Sequence, residues 1–298
     1  MKILCVGDLH FKIARQTLNL SILKWIEEVV LILKPDLVVY LGDASDNHAV
    51  LRSEILSEFQ NHLMTVTQTV ECFYIIGNHD LFKPRDATYH AFQTFHLPNL
   101  TIIDKPIDLY DMTFVPFQIG DFPTDTKDIC FAHQTFTGAD YGELRADDAV
   151  DPASVSAKLV VSGHIHKRQV VDQIVYPGSP VAYDANDIDQ EKGLMLLDTA
   201  TLEYSFIESP FPNWCRFTFN TSDESQQEIL DYLGSHLNDK DNYIIELEGY
   251  KSDINYILES KRFQGYKSKH KIRVIPTYLD KKKETVSLKS FTVNDIVS

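Results

Sequence analysis

Five short apolar runs in this chain each end in a glycine or alanine turn that carries Asp, Asn or His. The runs are Ile3–Val6, Leu37–Leu41, Phe73–Ile76, Ile129–Phe131 and Leu159–Val161. The turns that follow them, in order, are Gly7-Asp8-Leu9-His10, Gly42-Asp43, Gly77-Asn78-His79-Asp80, Ala132-His133-Gln134 and Gly163-His164-Ile165-His166. Runs this short, bounded by turn residues, read as buried strands. Few folds bury so many strands and still gather their polar ends. An open α/β sheet does, because its ligands sit in the crevice beyond the strand ends.

The segments between the first runs support that reading. Thr17–Leu33 carries Leu18, Ile22, Trp25, Ile26, Val29, Val30 and Leu33 at helical spacing, and Pro35 follows as a stop signal. A second helix is expected near Leu51–Val66 from Leu51, Ile55, Phe59, Leu63 and Val66. From Met1 to about Leu97 the pattern reads strand, helix, strand, helix, strand, helix, which predicts a largely parallel sheet. After Asn99 short strand-like runs follow one another, at 101–103, 112–115, 129–131, 159–161, 169–171, 193–197 and 203–207, which predicts a second sheet packed on the first. Stretches 121–128 and 137–151 read as exposed loops. The expected fold is α/β, a two-sheet αββα sandwich over residues 1–207, with a linker at 208–212. A small α+β domain at 213–280 and a tail at 281–298 complete it. In the small domain we expect strands at 216–219, 243–247 and 272–275 and helices at 225–237 and 254–260.

The net charge of −15 argues against a nucleic-acid binder until it is divided by position. Residues 251–298 hold 11 Lys+Arg against 5 Asp+Glu, whereas residues 1–250 hold 17 against 38. Bound divalent cations would offset part of the acidic side, and the basic end is either a surface for an anionic polymer or a solvated face. Charge alone leaves both open. Cys5, Cys72, Cys130 and Cys215 form neither a disulfide ladder nor a Cys-x-x-Cys pattern, which fits a reducing cytoplasm. No apolar stretch approaches the roughly 18 residues of a membrane span.

The turn residues make a ligand set of oxygen and nitrogen without thiolate, suited to Mn²⁺, Fe²⁺ or Zn²⁺. We expect two divalent ions. Asp8, His10, Asp43 and His166 would hold one, and Asp43, Asn78, His133 and His164 the other, with Asp43 bridging. His79 is expected to act as a proton donor or phosphate orienter rather than a ligand. Asp80 either positions His79 or supports the turn. Each motif alone is weak, since a lone Gly-Asp is ordinarily a turn. Their order, each at a strand end, is specific. His48, His62, His90, His96, His236 and His270 lack such placement and default to ordinary histidines, His48 being the first exception to consider.

This motif order resembles that of the calcineurin-like metallophosphoesterases, and within them the chain is similar to the SbcD-type nuclease subunits. The likeness covers roughly residues 1–207 and, more loosely, the small domain. It rests on Gly42-Asp43-Ala44-Ser45-Asp46, Ala132-His133-Gln134-Thr135, Gly163-His164-Ile165-His166-Lys167, Tyr176-Pro177-Gly178-Ser179-Pro180 and Glu191-Lys192-Gly193. The stretch Asp198–Tyr204, running on into Phe211-Pro212-Asn213-Trp214, is similar to phage members. The resemblance implies a Mn²⁺-dependent 3′→5′ exonuclease on duplex DNA ends that also cuts single strands endonucleolytically in DNA repair and recombination. It further implies a C-terminal domain that caps the DNA groove, a homodimer, and a coiled-coil ATPase partner of the SbcC type. Two departures stand out. The sequence ends at Thr292–Ser298, about where the family's ATPase-docking helical segment would begin, which sets that contact apart from the other expectations. Ala44-Ser45 replaces a bulky apolar pair after the bridging Asp. The competing readings are a phosphatase or small-molecule phosphodiesterase on the same fold, and a non-catalytic scaffold.

Overall fold

A computed structural model of the chain describes residues 1–46, 52–83, 86–142 and 144–279. His48, Leu51, Lys281, Lys282, Lys283 and the segment 292–298 lie outside the described residues. The chain divides into two compact units, Met1–Trp214 and a second that begins at Cys215.

In the first unit one six-stranded sheet is built from β1 (Lys2–Val6), β2 (Leu37–Tyr40), β3 (Glu71–Ile75), β4 (Leu100–Ile103), β11 (Gly193–Asp198) and β12 (Tyr204–Glu208). Its spatial order is β12-β11-β1-β2-β3-β4, with β1 to β4 parallel and β11 and β12 antiparallel. The second six-stranded sheet takes β5 (Ile107–Leu109), β6 (Met112–Val115), β7 (Ile129–His133), β8 (Leu159–Gly163), β9 (Gln169–Val171) and β10 (Ile174–Tyr176). Its order is β9-β10-β8-β7-β6-β5, parallel from β6 through β10.

Side-chain alternation explains the layers. Leu4, Val6, Val38, Tyr40, Cys72 and Tyr74 face α1 (Gln16–Leu33) and α2 (Ser53–Val66), meeting Ile22, Ile26, Phe59 and Leu63. Their neighbours Ile3, Cys5, Leu37, Val39, Phe73 and Ile75 turn to the other side and pack on Phe114, Phe131, Leu159 and Val161 of the second sheet. Both faces are buried, so these strands read as unbroken apolar runs. The far side of the second sheet is closed by Phe122, Phe136, Ala139, Val155 and Ala157. These come from the segments 121–128 and 137–151, from Phe136 just before the second of them, and from the residues flanking a 3-10 turn, Pro152–Ser154. The two segments are therefore pinned by Phe122 and Ala139 rather than wholly exposed.

Helix α1 ends where Lys34 takes a left-handed cap before Pro35. No helix among the described residues is long and apolar enough to cross a membrane. The four cysteines are free thiols.

The second unit has its own core. Strands β13 (Trp214–Asn220), β14 (Asn242–Gly249) and β15 (Lys271–Tyr278) form a sheet with β14 in the centre. Ile229, Leu233, Ile254, Ile257 and Phe263 cover it from α3 (Gln226–His236), α4 (Lys251–Glu259) and α5 (Lys261–Lys269).

Candidate metal centre

The five turns meet beyond the carboxyl ends of β1, β2 and β3 in one sheet and β7 and β8 in the other. Backbone pairing draws the first two together: Leu9 and His10 donate N–H to the Asp43 carbonyl at 3.1 and 2.9 Å. Glycines let the turns touch. A Cβ on Gly77 would lie 2.1 Å from Asp43 Oδ1, and one on Gly42 would lie 2.5 Å from His133 Nδ1. Three non-glycine residues accept left-handed backbone here, His10 (φ 41°), Asp43 (φ 52°) and His164 (φ 80°). Such conformations cluster at functional sites and persist only where surrounding structure enforces them.

All seven expected ligands and His79 come together. Asp8, His10 and His166 bring donor atoms within 4.8 Å of one another, and so do Asp43, His133 and His164. Asp43 Oδ2 lies 3.5 Å from His10 Nε2 and 3.3 Å from His133 Nε2, between the two groups. Asn78 Oδ1 sits 3.0 Å from His133 Nε2 and 2.7 Å from His164 Nδ1. His166 Nε2 and His10 Nε2 are 2.8 Å apart.

Two features test whether cations fit. Asp8 is fully buried, and its Oδ2 has no hydrogen-bond partner among the described residues, although its Oδ1 accepts the His164 N–H at 2.8 Å. Burial raises the Asp8 pKa, and a carboxylate oxygen so placed without a donor is satisfied by a proton or by a cation, for which its His neighbours are suited. His133 donates its Nδ1–H to the Leu41 carbonyl at 2.6 Å, which turns Nε2 toward the cluster in the manner of an oriented metal ligand. Burial, helped by the neighbouring His133, lowers His164 to about 3, and burial likewise holds His10 well below the ordinary histidine value. Neutral imidazoles are the form that binds metal. At His133 burial is outweighed by the Asp43 and Asp8 carboxylates, which raise it to about 9 and leave it a proton that a bound cation would displace. Burial alone would raise the Asp43 carboxyl, but the adjacent imidazoles, His133 first, outweigh it and keep Asp43 ionised. The residues fit a pair of divalent cations.

His79 lies within the same reach of His10 and Asp43, and its Nδ1–H donates to the Asp46 carbonyl at 2.8 Å. Its backbone N–H donates to Asp43 Oδ1 at 2.8 Å. The two readings of Asp80 are now decided. Its buried carboxylate accepts from the N–H groups of Asp43 (2.9 Å), Gly77 (2.9 Å) and Ala44 (3.2 Å) and from the Tyr74 hydroxyl (2.8 Å). It clamps the second and third turns and supports His79 only indirectly. Burial first, then the Asp43 charge, raises it to about 7.

Residues that sequence reasoning left without a role close the site from behind. Lys192, almost wholly buried, donates to the His166 carbonyl (2.8 Å), Ser179 Oγ (2.9 Å), Asp187 Oδ1 (2.7 Å) and Gln190 Oε1 (3.0 Å). Gly178 lies so near the first turn that a Cβ on Gly7 would stand 2.0 Å from its carbonyl oxygen. The signal for both was present in the Pro177-Gly178-Ser179 and Glu191-Lys192-Gly193 motifs. Tyr183 donates its hydroxyl to the Leu9 carbonyl, and Phe117 packs beside His164 with ring centroids 5.7 Å apart. Neither has a sequence signature. Among the remaining histidines, His62 is buried between the two helices, and His90 lies 3.8 Å from Asp104.

The sequence pattern of the calcineurin-like phosphoesterase family matches residues 1–168, a span that includes every turn of the site. The chain is 26% identical over 275 residues to a protein of Invertebrate iridescent virus 3 named "Putative phosphoesterase 078R", covering 84% of this chain and 76% of that one. It is 28% identical over 218 residues to "Putative phosphoesterase 244L" of Invertebrate iridescent virus 6, covering 66% of this chain and 75% of the relative. With more than half its length matched, and with the buried Asp–His–Asn cluster such chemistry requires, the chain belongs to the calcineurin-like phosphoesterases, metal-dependent hydrolases of phosphoesters.

Proposed function

We propose that this phosphoesterase is a DNA nuclease of the SbcD type. It would degrade duplex ends in the 3′→5′ direction and cut within single strands, with two divalent ions, Mn²⁺ first among them, as cofactors. Asp8, His10, Asp43 and His166 would hold one ion, and Asp43, Asn78, His133 and His164 the other. When bound, the ions supply Lewis acidity that lowers the pKa of water and draws charge from phosphate oxygens. The protein's own part is positional. With Nδ1–H committed to the Asp46 carbonyl, His79 presents Nε2, which in the doubly protonated ring would give its proton to the leaving oxygen or hold a phosphate oxygen. Asp80 keeps the two turns at fixed separation.

Charge supports DNA over a small phosphoester. The acidic first 250 residues carry the hydrolytic centre, and the basic remainder presents Lys267, Lys269, Lys271 and Arg273 as exposed side chains on α5 and β15. On β15 Lys271 and Arg273 alternate with Ile272 and Val274, which pack on the core, so the cations share the outer face. We further propose that the chain acts as a dimer, and that an SbcC-type ATPase joins it where a docking segment follows the second unit.

Incubating the protein with end-labelled duplex and single-stranded DNA in Mn²⁺, Mg²⁺ or EDTA tests this reading. The expected result is a Mn²⁺-dependent ladder that shortens duplex from the 3′ end. Turnover of a small phosphodiester without any cleavage of DNA would overturn it in favour of the small-molecule enzyme.

A further inference from the structure

The basic side chains near the turns differ in what holds them. Lys12 pairs with Asp46 at 2.9 Å, Lys167 with Asp140 at 3.3 Å, and Arg168 with Glu208 at 2.8 Å and Glu191 at 3.1 Å. Arg15 pairs with no carboxylate among the described residues. Its guanidinium carbon instead rests 5.3 Å from the centroid of the Tyr183 ring. That ring is fixed at both ends. Its hydroxyl donates to the Leu9 carbonyl, and the Tyr183 backbone N–H donates to Asp187 Oδ2 at 2.8 Å, on the carboxylate that pairs with Lys192. The same ring meets His10 edge-on, with centroids 6.5 Å apart and planes at 76°.

Tyr183 thus touches both the imidazole of an expected ligand and a half-buried cation whose hydrogen-bonding edge is taken by no acid among the described residues. A guanidinium over an aromatic face keeps its planar fork available for two parallel bonds to an anion, carboxylate or phosphate, and phosphate is the one a phosphoesterase's substrate brings. Among the described residues Arg15 is tied to the site through the Tyr183 ring and pairs with none of the expected ligands, so the phosphate it would take is a neighbour of the one being cleaved. Polynucleotides carry further phosphates within a few nucleotides of any bond, whereas a one-phosphate ester has none.

We infer that Arg15, held over Tyr183, is the subsite for a non-scissile phosphate and the residue by which the centre tells a nucleic-acid strand from a small phosphoester. This rests on the nucleic-acid reading above. The test measures kcat and KM in Mn²⁺ for wild type, Arg15→Ala and Arg15→Lys on a short single-stranded oligonucleotide and on bis(p-nitrophenyl) phosphate. Arg15→Ala is expected to raise KM for the oligonucleotide by about 10- to 100-fold, the worth of one or two charge-assisted hydrogen bonds. KM and kcat for the small diester should stay within about twofold, and Arg15→Lys should recover part of the loss on DNA. An oligonucleotide with neutral methylphosphonate linkages beside the scissile bond should bring wild type to the level of Arg15→Ala and leave that variant unchanged. Equal loss on both substrates, or no loss on the oligonucleotide, would overturn the subsite while leaving the nuclease reading intact. A wild type that cuts the small diester and no oligonucleotide would overturn the nuclease reading and this subsite together.

Discussion

The Asp43 carboxylate faces His10 and His133 through Oδ2 and accepts the His79 backbone N–H through Oδ1. Its neutralisation reaches both halves of the cluster. Asp43→Asn should therefore weaken both metal sites, each by at least the roughly 10–100-fold that outer-shell changes cost. Calorimetric titration with Mn²⁺ reads this, and loss of one site alone would contradict a bridging role. His79 behaves differently. It is proposed as proton donor rather than ligand, so His79→Ala should lower turnover by about 10²–10⁴ while metal content by elemental analysis stays near two ions. Loss of metal would instead make it a ligand, as the carbonyl tie it shares with His133 also allows. At this scale the sequence was legible where chemistry follows a strand end directly, as with Asp8, Asn78 and His164. Lys192 was legible only as part of a motif, its partner His166 lying 26 residues away, and Tyr183 was not legible, its partner Leu9 lying 174 residues away in the chain.

Helices α1 and α2 are joined through a buried polar link: His62 on α2 lies 2.8 Å from Glu27 Oε1 on α1 and 2.7 Å from the Tyr40 hydroxyl on β2. Burial, opposed by Glu27, lowers the histidine pKa below its ordinary 6.5. The unfolded chain then binds the proton more readily, so this contribution to stability is intact above pH 6.5 and fades as pH falls through the lowered value. Melting temperature followed from pH 8 to 5 should drop more steeply for wild type than for His62→Phe. The Lys192–Asp187 pair is a second buried link, between the β10–β11 connection and the His166 turn. Lys192→Met strands the Asp187 carboxylate and should cost about 3–5 kcal/mol in urea unfolding, with adding Asp187→Leu recovering part of it. Among elements, periodicity located α1 and α2 to within two residues of their ends, since each buries a continuous stripe. The third helix expected before Leu97 is instead a pair of short strands, Leu81–Lys83 and Asp86–His90. Periodicity also missed α5, whose only buried residue is Phe263. That helix is set instead by Ser260, whose hydroxyl accepts the Phe263 N–H as a cap.

On the scale of the molecule charge is uneven: residues 1–214 hold 15 Lys+Arg against 30 Asp+Glu, and the second unit, with its own core, holds 13 of each, its basic side chains gathering after residue 250. Replacing Lys267, Lys269, Lys271 and Arg273 with Gln should weaken DNA binding. It should also flatten the dependence of log affinity on log salt by roughly one unit for each backbone phosphate no longer neutralised. Hydrolysis of a small diester should hold, because the centre belongs to the first unit. Equal loss on both substrates would mean damage to the fold instead. The α/β sandwich was legible in the order of strands and helices. The closing layer over the second sheet was not, because it consists of loop segments pinned by isolated residues such as Phe122 and Ala139, which carry no period.

The left-handed backbone at His10, Asp43 and His164 has a further consequence. For residues with a Cβ such a conformation costs roughly 1–2 kcal/mol each, so the fold is held back by the same three positions that equip it. Thermal resistance and catalysis then select in opposite directions. A library enriched for heat resistance alone, with no metal or substrate present, should accumulate glycine or asparagine at positions 10, 43 and 164 and lose hydrolysis as it hardens. Sequencing the survivors would reveal whether the centre is a strain that only its use maintains.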